Sequence, residues 1–302
     1  MTYSIVARDP QTGQLGVAVQ SHAFSVGPIV PWARAGVGVV ATQAIVDPGY
    51  GHKGLELLAS GRSAEQALAQ LVAADGNAAV RQVAMVDAHG IVVAHTGERC
   101  IPAAGHVCGH GFSCQANMML NDTVWDAMAA AYREADGDLA ARLMAALHAA
   151  ESEGGDIRGR ESSALLVVAA VDSGEPWMYA DVLVDLRVED HPEPLTELER
   201  LLRLQRASSH TDKADKHQQA GDMAGFWEEF SAAEYWAPDN AELQFWKGVT
   251  LAEQGRESEA RAILVEVYRR DPNWTELLRR LAAVDPALAD AQLVARLTAP
   301  PA

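Results

Sequence analysis

The chain opens MTYSIVARD, and its second residue is the first that could do chemistry. Removing the initiator Met would leave Thr2 with a free α-amine and a hydroxyl on one residue, and such trimming is common before a small side chain. The amine's reference pKa of about 7.7–8.0 leaves an appreciable neutral fraction near neutral pH. It could serve as general base for its own hydroxyl, directly or through a water, and an amide substrate would then give an acyl-enzyme. The β-methyl group restricts χ1 and helps hold the hydroxyl in position. The plain alternative is that Thr2 is there for strand propensity alone.

A second concentration of reactive side chains lies in CIPAAGHVCGHGFSC, which holds Cys100, His106, Cys108, His110 and Cys114. These are ligand types that zinc accepts, but the spacing departs from the Cys-x₂₋₄-Cys pairs of common structural sites. On a strand, His106, Cys108 and His110 would share one face at period two, which makes a metal site the alternative reading of this segment. Otherwise Cys108 and Cys114 are small buried hydrophobes. Asn117 has two readings: a donor to the oxyanion of an acyl-transfer intermediate, or the N-cap of a following helix. Ser162 and Ser163 read as structural or substrate-contacting residues at a strand start. Asp185, Arg187, Asp190 and His191 most simply make ion pairs at a strand end. No GxGxxG, P-loop, HExxH or GxSxG is present, and no cofactor is expected.

These residues need positioning elements. Apolar runs predict strands at 2–8, 14–20 and 36–44, then helices at 49–60 and 63–74, the second capped by Ser63 with Gln66 three residues on. Strands at 81–87 and 90–95 follow, joined by a tight DAHG turn. After the Gly-, His- and Cys-rich connection come helices at 117–134 and 138–152, strands at 162–171 and 177–188, and a helix to about 205. Most of the strands are apolar on both faces, as in a sheet covered on each side. The order suits an α+β fold, a four-layer αββα sandwich of two sheets face to face with helices outside.

Composition shifts near residue 200, which divides the chain into domains 1–205 and 206–302. RASSHTDKADKHQQ reads as a polar linker entering the second part. There Gly221 and Gly255 stand 34 residues apart, as do Pro238 and Pro272. Small residues let antiparallel helices approach, Gly permits the turn, and Pro closes the second helix. WKGVTLAEQGRESEARAILVEVYRRDPNW resembles a tetratricopeptide repeat, and the preceding unit is a degenerate copy with Phe226 at a small-residue position. The resemblance implies a small all-α domain of two repeats and a capping helix, with a possible protein partner in its groove.

The 302 residues carry a net charge of −17, which disfavours nucleic acid and anionic membrane surfaces as partners. No apolar window is long enough to span a membrane, and the N-terminus lacks a signal-peptide pattern, so a cytoplasmic location is expected. Three cysteines, an odd number, make no disulfide framework.

MTYSIVARDPQTGQLGVAVQS, VPWARAGVGVVATQA, GFSCQANMM, RGRESSALLVV and DLRVEDHPEP resemble the domain-of-unknown-function family 1028 across about residues 1–200. Members are described as candidate N-terminal nucleophile hydrolases, the superfamily of proteasome β-subunits. That resemblance implies an amidohydrolase with Thr2 as nucleophile, acting on a small amide or peptide-like substrate, and a homo-oligomer. Many such hydrolases place a polar residue after the second strand and a cation near the third. The matching positions are Gln20 and Ser21, then Arg34, with Gln43 at the end of a strand. Arg34 would depress the amine's pKa by like-charge proximity. The Asp and Lys pair of the proteasome is missing from these places. A catalytically silent scaffold acting through the helical repeats is the rival reading.

Overall fold

The computed structural model describes residues 2–175 and 181–299. Ten strands form in the first part: β1 (Thr2–Arg8), β2 (Leu15–Ser21), β3 (Pro31–Arg34), β4 (Gly38–Ala44), β5 (Arg81–Asp87), β6 (Val92–Thr96), β7 (Gly105–Gly109), β8 (Phe112–Asn117), β9 (Ser162–Val168) and β10 (Val182–Val188). Helices α1 (Gly49–Ala59) and α2 (Ala64–Ala74) separate β4 from β5, while α3 (Val124–Glu134) and α4 (Leu139–Ser152) separate β8 from β9. All described pairings are antiparallel, in a six-stranded sheet ordered β10-β9-β2-β1-β8-β7 and a four-stranded sheet ordered β3-β4-β5-β6.

Alternation along each strand divides the core into layers. Tyr3, Ile5 and Ala7 of β1 pack with Met128, Leu143 and Leu147 of α3 and α4. The opposite faces, Val6, Val17 and Val19, meet Val39, Ala41, Ala84 and Val86 of the four-stranded sheet. The outer face of that sheet, Val40, Val83 and Met85, is covered by Tyr50, Leu58 and Leu68 of α1 and α2. The first part is thus a mixed α/β fold in which helices, sheet, sheet and helices follow one another.

Several expectations need correction. The Gly-rich connection is the hairpin β7–β8, so the helix expected from 117 begins at Val124. Gly105 makes that hairpin possible, because a Cβ there would sit 2.6 Å from the Trp125 ring. A short edge strand, β3, was not foreseen. The strand expected over 177–188 is β10 from Val182; its opening positions lie outside the described residues. Ser63 and Gln66 do form a reciprocal capping box on α2.

The chain divides into two compact units, Met1–Leu202 and Arg203–Ala302. The boundary falls inside α5 (Pro194–Gln219), so the stretch read as a polar linker is helical. The second unit continues with α6 (Met223–Trp236), α7 (Ala241–Glu253), α8 (Glu257–Arg270), α9 (Asn273–Ala282) and α10 (Ala291–Thr298). Gly221 and Gly255 end their helices at φ +75° and +74°, a conformation that glycine adopts without strain. Gly248 lies against Leu264, where a Cβ would approach to 2.6 Å, so α7 and α8 pack closely at that point. Among the described residues no helix is long and apolar enough to cross a membrane.

Candidate functional site

β1 is an interior strand, and its register sets Thr2 opposite Ser21 of β2 on one side and Asn117 of β8 on the other. Thr2 Oγ1 and Ser21 Oγ share a hydrogen bond of 3.1 Å. Ser4, two residues on, shares the face of Thr2 and donates to Gln43 Oε1 of the opposite sheet at 2.6 Å. Here the two sheets therefore meet through polar side chains. Gln43 Nε2 and Asn117 Nδ2 both donate to the Thr2 carbonyl, at 3.1 and 3.3 Å, and both donate to Gln82 Oε1, at 2.7 and 2.8 Å. Gln115 Nε2 donates to Ser4 Oγ at 2.6 Å and Ser113 Oγ to Gln115 Oε1 at 2.9 Å. All of these side chains are buried and none carries a charge. One acceptor is left over: Asn117 Oδ1 is buried and has no partner among the described residues.

The network reaches the surface through Gln82, whose Nε2 donates to Thr96 Oγ1 at 2.9 Å, and Thr96 Oγ1 lies 2.8 Å from His106 Nδ1. Partial burial, then the nearby His95, holds the His106 imidazole below its ordinary value. On the helix side of β1, the Tyr3 hydroxyl donates to Glu151 Oε1 at 2.6 Å. That uses its only proton, so Gln20 presents its amide N–H to the phenol. Burial first, then Glu151, raises the Tyr3 pKa well above its usual value.

The structure thus gathers Thr2, Ser21, Gln43 and Asn117. It does not bring Arg34 to them. Arg34 pairs with Gly38, at the end of β4 opposite Gln43, and five residues of extended chain separate the two by roughly 17 Å. Asn117 is a strand residue and caps no helix; Thr123 precedes α3. Both N–H groups of its amide are committed inside the network, which leaves none for an oxyanion. His106 and Cys108 do share a face of β7, but His110 lies in the turn beyond it. Among the described residues no group of three or more His, Cys, Asp or Glu is arranged to hold a metal. Cys114 points into the helix-side core, where burial pushes its thiol far up, the opposite of an activated nucleophile. Ser162 Oγ donates to the Ala23 carbonyl and accepts from Val26 N, and Ser163 Oγ donates to the Pro194 carbonyl, so both tie down loops. Asp185 pairs with Arg187 in the open.

Ser4, Gln82 and Gln115 were missed. Each is a polar residue within a short run that is otherwise mostly apolar, and Gln82 in RQVAMVD carried the clearest signal.

Strain also concentrates here. Among the described residues other than glycine, positive φ occurs at Ser25 (56°), Ala44 (70°) and Met118 (57°). Ala44 and Met118 directly follow Gln43 and Asn117, and Ser25 lies four residues after Ser21. A non-glycine residue in this region costs about 1–2 kcal/mol, and such costs cluster where function constrains the backbone.

No functionally curated protein matches the chain. Among solved structures, the crystal structure of protein SPO2555 from Silicibacter pomeroyi, described with the family model DUF1028, is similar at 32% identity. It covers 67% of this chain and 88% of that one, with a TM-score of 0.60. The model of DUF1028, a family of unknown function, matches residues 2–198. That span takes in every described strand and the polar network around Thr2, and on it the chain belongs to the DUF1028 family.

Proposed function

We propose that the first unit is an N-terminal-nucleophile amide hydrolase in which Thr2, freed by loss of Met1, carries the reaction. The observation that carries this reading is the placement of Thr2. Its hydroxyl sits at the end of an interior strand, buried, against Ser21 Oγ, while two carboxamides grip its carbonyl. A residue selected only for strand propensity needs no such fixation. In the reaction, the neutral α-amine takes the proton of Oγ1 as Oγ1 attacks the amide carbon. The resulting ammonium then delivers that proton to the departing amine, leaving an ester on Thr2. Water, activated by the same amine, hydrolyses the ester and restores the hydroxyl. Ser21 orients Oγ1, and Gln43 and Asn117 hold the residue's backbone. Preorganisation of this kind is worth several orders of magnitude in rate.

The test is intact mass and N-terminal sequencing of protein made without an N-terminal tag, followed by exposure to a β-lactone. A chain beginning at Thr2 and a single adduct on that residue are expected. Quantitative retention of Met1 removes the amine and ends this reading.

A second reading is supported by a separate observation. In the second unit a cavity of about 600 Å³ is lined by Phe226, Phe230 and Trp246 together with Asp215, Glu242 and Glu253. Burial, then neighbouring Asp285, raises the Glu253 carboxyl above its ordinary range. If the helical pairs are tetratricopeptide-like, this groove takes a basic, apolar peptide. A peptide alternating Lys and Leu should change Trp246 fluorescence, and should not do so in Trp246→Phe protein; unchanged emission in both eliminates it.

A further inference from the structure

The strand registers place the loops 22–30, 45–48, 97–104, 118–123 and 153–161 at the end of the sheets where Thr2 stands. Each of these loops exposes one large apolar side chain: Phe24, Ile45, Ile101, Leu120 and Ile157. Three of them, 97–104, 118–123 and 153–161, are tied together by the backbone. Met118 N donates to the Ile101 carbonyl, Ile157 N to the Met118 carbonyl, and Leu120 N to the Gly155 carbonyl. Phe24 and Ile45 lie three and two residues beyond Ser21 and Gln43. Single exposed apolar residues mean little, but five converging on one end of a sandwich mark a binding surface.

With the α-amine in the neutral form that the reaction requires, the polar centre of this surface carries no charge. The side chains that touch Thr2 are Ser21, Gln43 and Asn117. The two ions flanking Ile157 are closed on one another, since Arg158 Nη2 lies 2.8 Å from Asp156 Oδ2 and its Nε 3.1 Å from Oδ1. A charged group brought to Thr2 would be desolvated without compensation, which is costly. A neutral chain would lose nothing and would bury the rim. The left-over acceptor, Asn117 Oδ1, suits an amide N–H of the substrate.

Resting on the hydrolase reading above, we propose that the substrate is a neutral amide with an apolar acyl chain, seated on Phe24, Ile45, Ile101, Leu120 and Ile157. The acyl carbonyl meets Thr2 Oγ1, and the chain lies outward over the rim.

Binding can be separated from chemistry by using full-length Thr2→Ala protein and calorimetric titration with octanamide at about pH 9.5, where the α-amine of residue 2 is neutral. Two chains of matched length, one ending in a carboxylate and one in an ammonium, serve as comparisons. Octanamide should bind at least roughly tenfold more tightly than either, the order expected for apolar against uncompensated polar contact. Leu120→Asp and Ile157→Asp, each made in the Thr2→Ala chain, should weaken octanamide by a similar factor at unchanged melting temperature, since both side chains are exposed. Equal or tighter binding of a charged chain overturns the proposal, with Arg99 near Ile101 the first place to look for a carboxylate reader. Conversion of an oligomer into monomers by the Asp variants, with octanamide binding unchanged, also overturns it and makes the rim a contact between copies. Failure of wild-type protein to react with a β-lactone, while octanamide still binds, overturns the hydrolase reading alone.

Discussion

The two halves of the space between the sheets are built from opposite chemistry. Toward β2 and β9 it is filled by Val6, Val17, Val19, Val39, Ala164 and Val168. Toward β8, at the Thr2 end, the same face carries Ser4, Gln43, Gln82, Ser113, Gln115 and Asn117, all buried. The apolar half is the less costly way to join two sheets, since removing apolar surface from water stabilises without geometric demands. The polar half contributes only if every donor and acceptor finds a partner, and one, Asn117 Oδ1, does not. A region that could have been valine and is not suggests that the hydroxyl at its end must be held in one place.

The largest expected effect of breaking this division is chemical. Thr2→Ala should abolish β-lactone labelling, a loss of at least ~10³-fold on the scale seen when a nucleophile is removed. Its melting temperature should stay within a few degrees, because Thr2 Oγ1 contributes one hydrogen bond. Retained labelling would place the nucleophile elsewhere.

The next effect is on stability. Gln82→Leu strips Gln43 and Asn117 of their shared acceptor and removes the amide donor to the Thr96 hydroxyl and to the Ala116 carbonyl, which keeps its place in the β7–β8 ladder. A cost of about 4 kcal/mol is expected by chemical denaturation, from several buried groups each losing a partner. Val39→Ala in the apolar half removes two γ-methyl groups without stranding any polar atom and should cost about 2 kcal/mol. If the two costs come out equal, the polar half is wetter and looser than its hydrogen bonds imply.

The same division explains what could be read from the sequence. β1, β2, β4 and β5 announced themselves because apolar runs bounded by turns have one meaning. FSCQAN of β8 did not, since a strand with one polar face ordinarily faces water and here both faces are buried. Its partner β7 was hidden by Gly105 and Gly109, residues depleted in strands, yet required where Trp125 and Phe112 press against the backbone. Thr2, Ser21 and Gln43 were grouped in the sequence by the family resemblance alone; they meet because β1 begins, and β2 and β4 end, at one edge. Arg34 was misplaced for want of β3: without that four-residue strand, nothing in the sequence reveals that the chain reverses and carries the guanidinium to the far end. Gln82 requires knowledge of which strand of the second sheet faces Thr2, and that is a matter of register between sheets, which no local pattern encodes.

The smallest effect concerns pH and belongs to the polar half alone, because only that half reaches a titratable group. Thr96 Oγ1 accepts from Gln82 Nε2 and lies 2.8 Å from His106 Nδ1, to which it donates its own proton when that nitrogen is the unprotonated one of the ring. Protonating the imidazole makes Nδ1 a donor, so the Thr96 hydroxyl that anchors Gln82 must turn its own proton to another acceptor. Burial lowers the folded-state pKa of His106 below the unfolded value of about 6.5. The unfolded chain therefore binds more protons in the interval between the two values. The contribution of His106 to stability is complete above about pH 6.5 and is lost as the pH falls through the folded-state value. A ring titration followed by NMR should place its midpoint below 6.5, and the melting temperature of His106→Gln should fall less than that of wild type as the pH is lowered through this range. Val39→Ala should leave that pH dependence intact. A midpoint at or above the reference value would detach His106 from the network and leave the polar half closed to solvent pH, as the apolar half is.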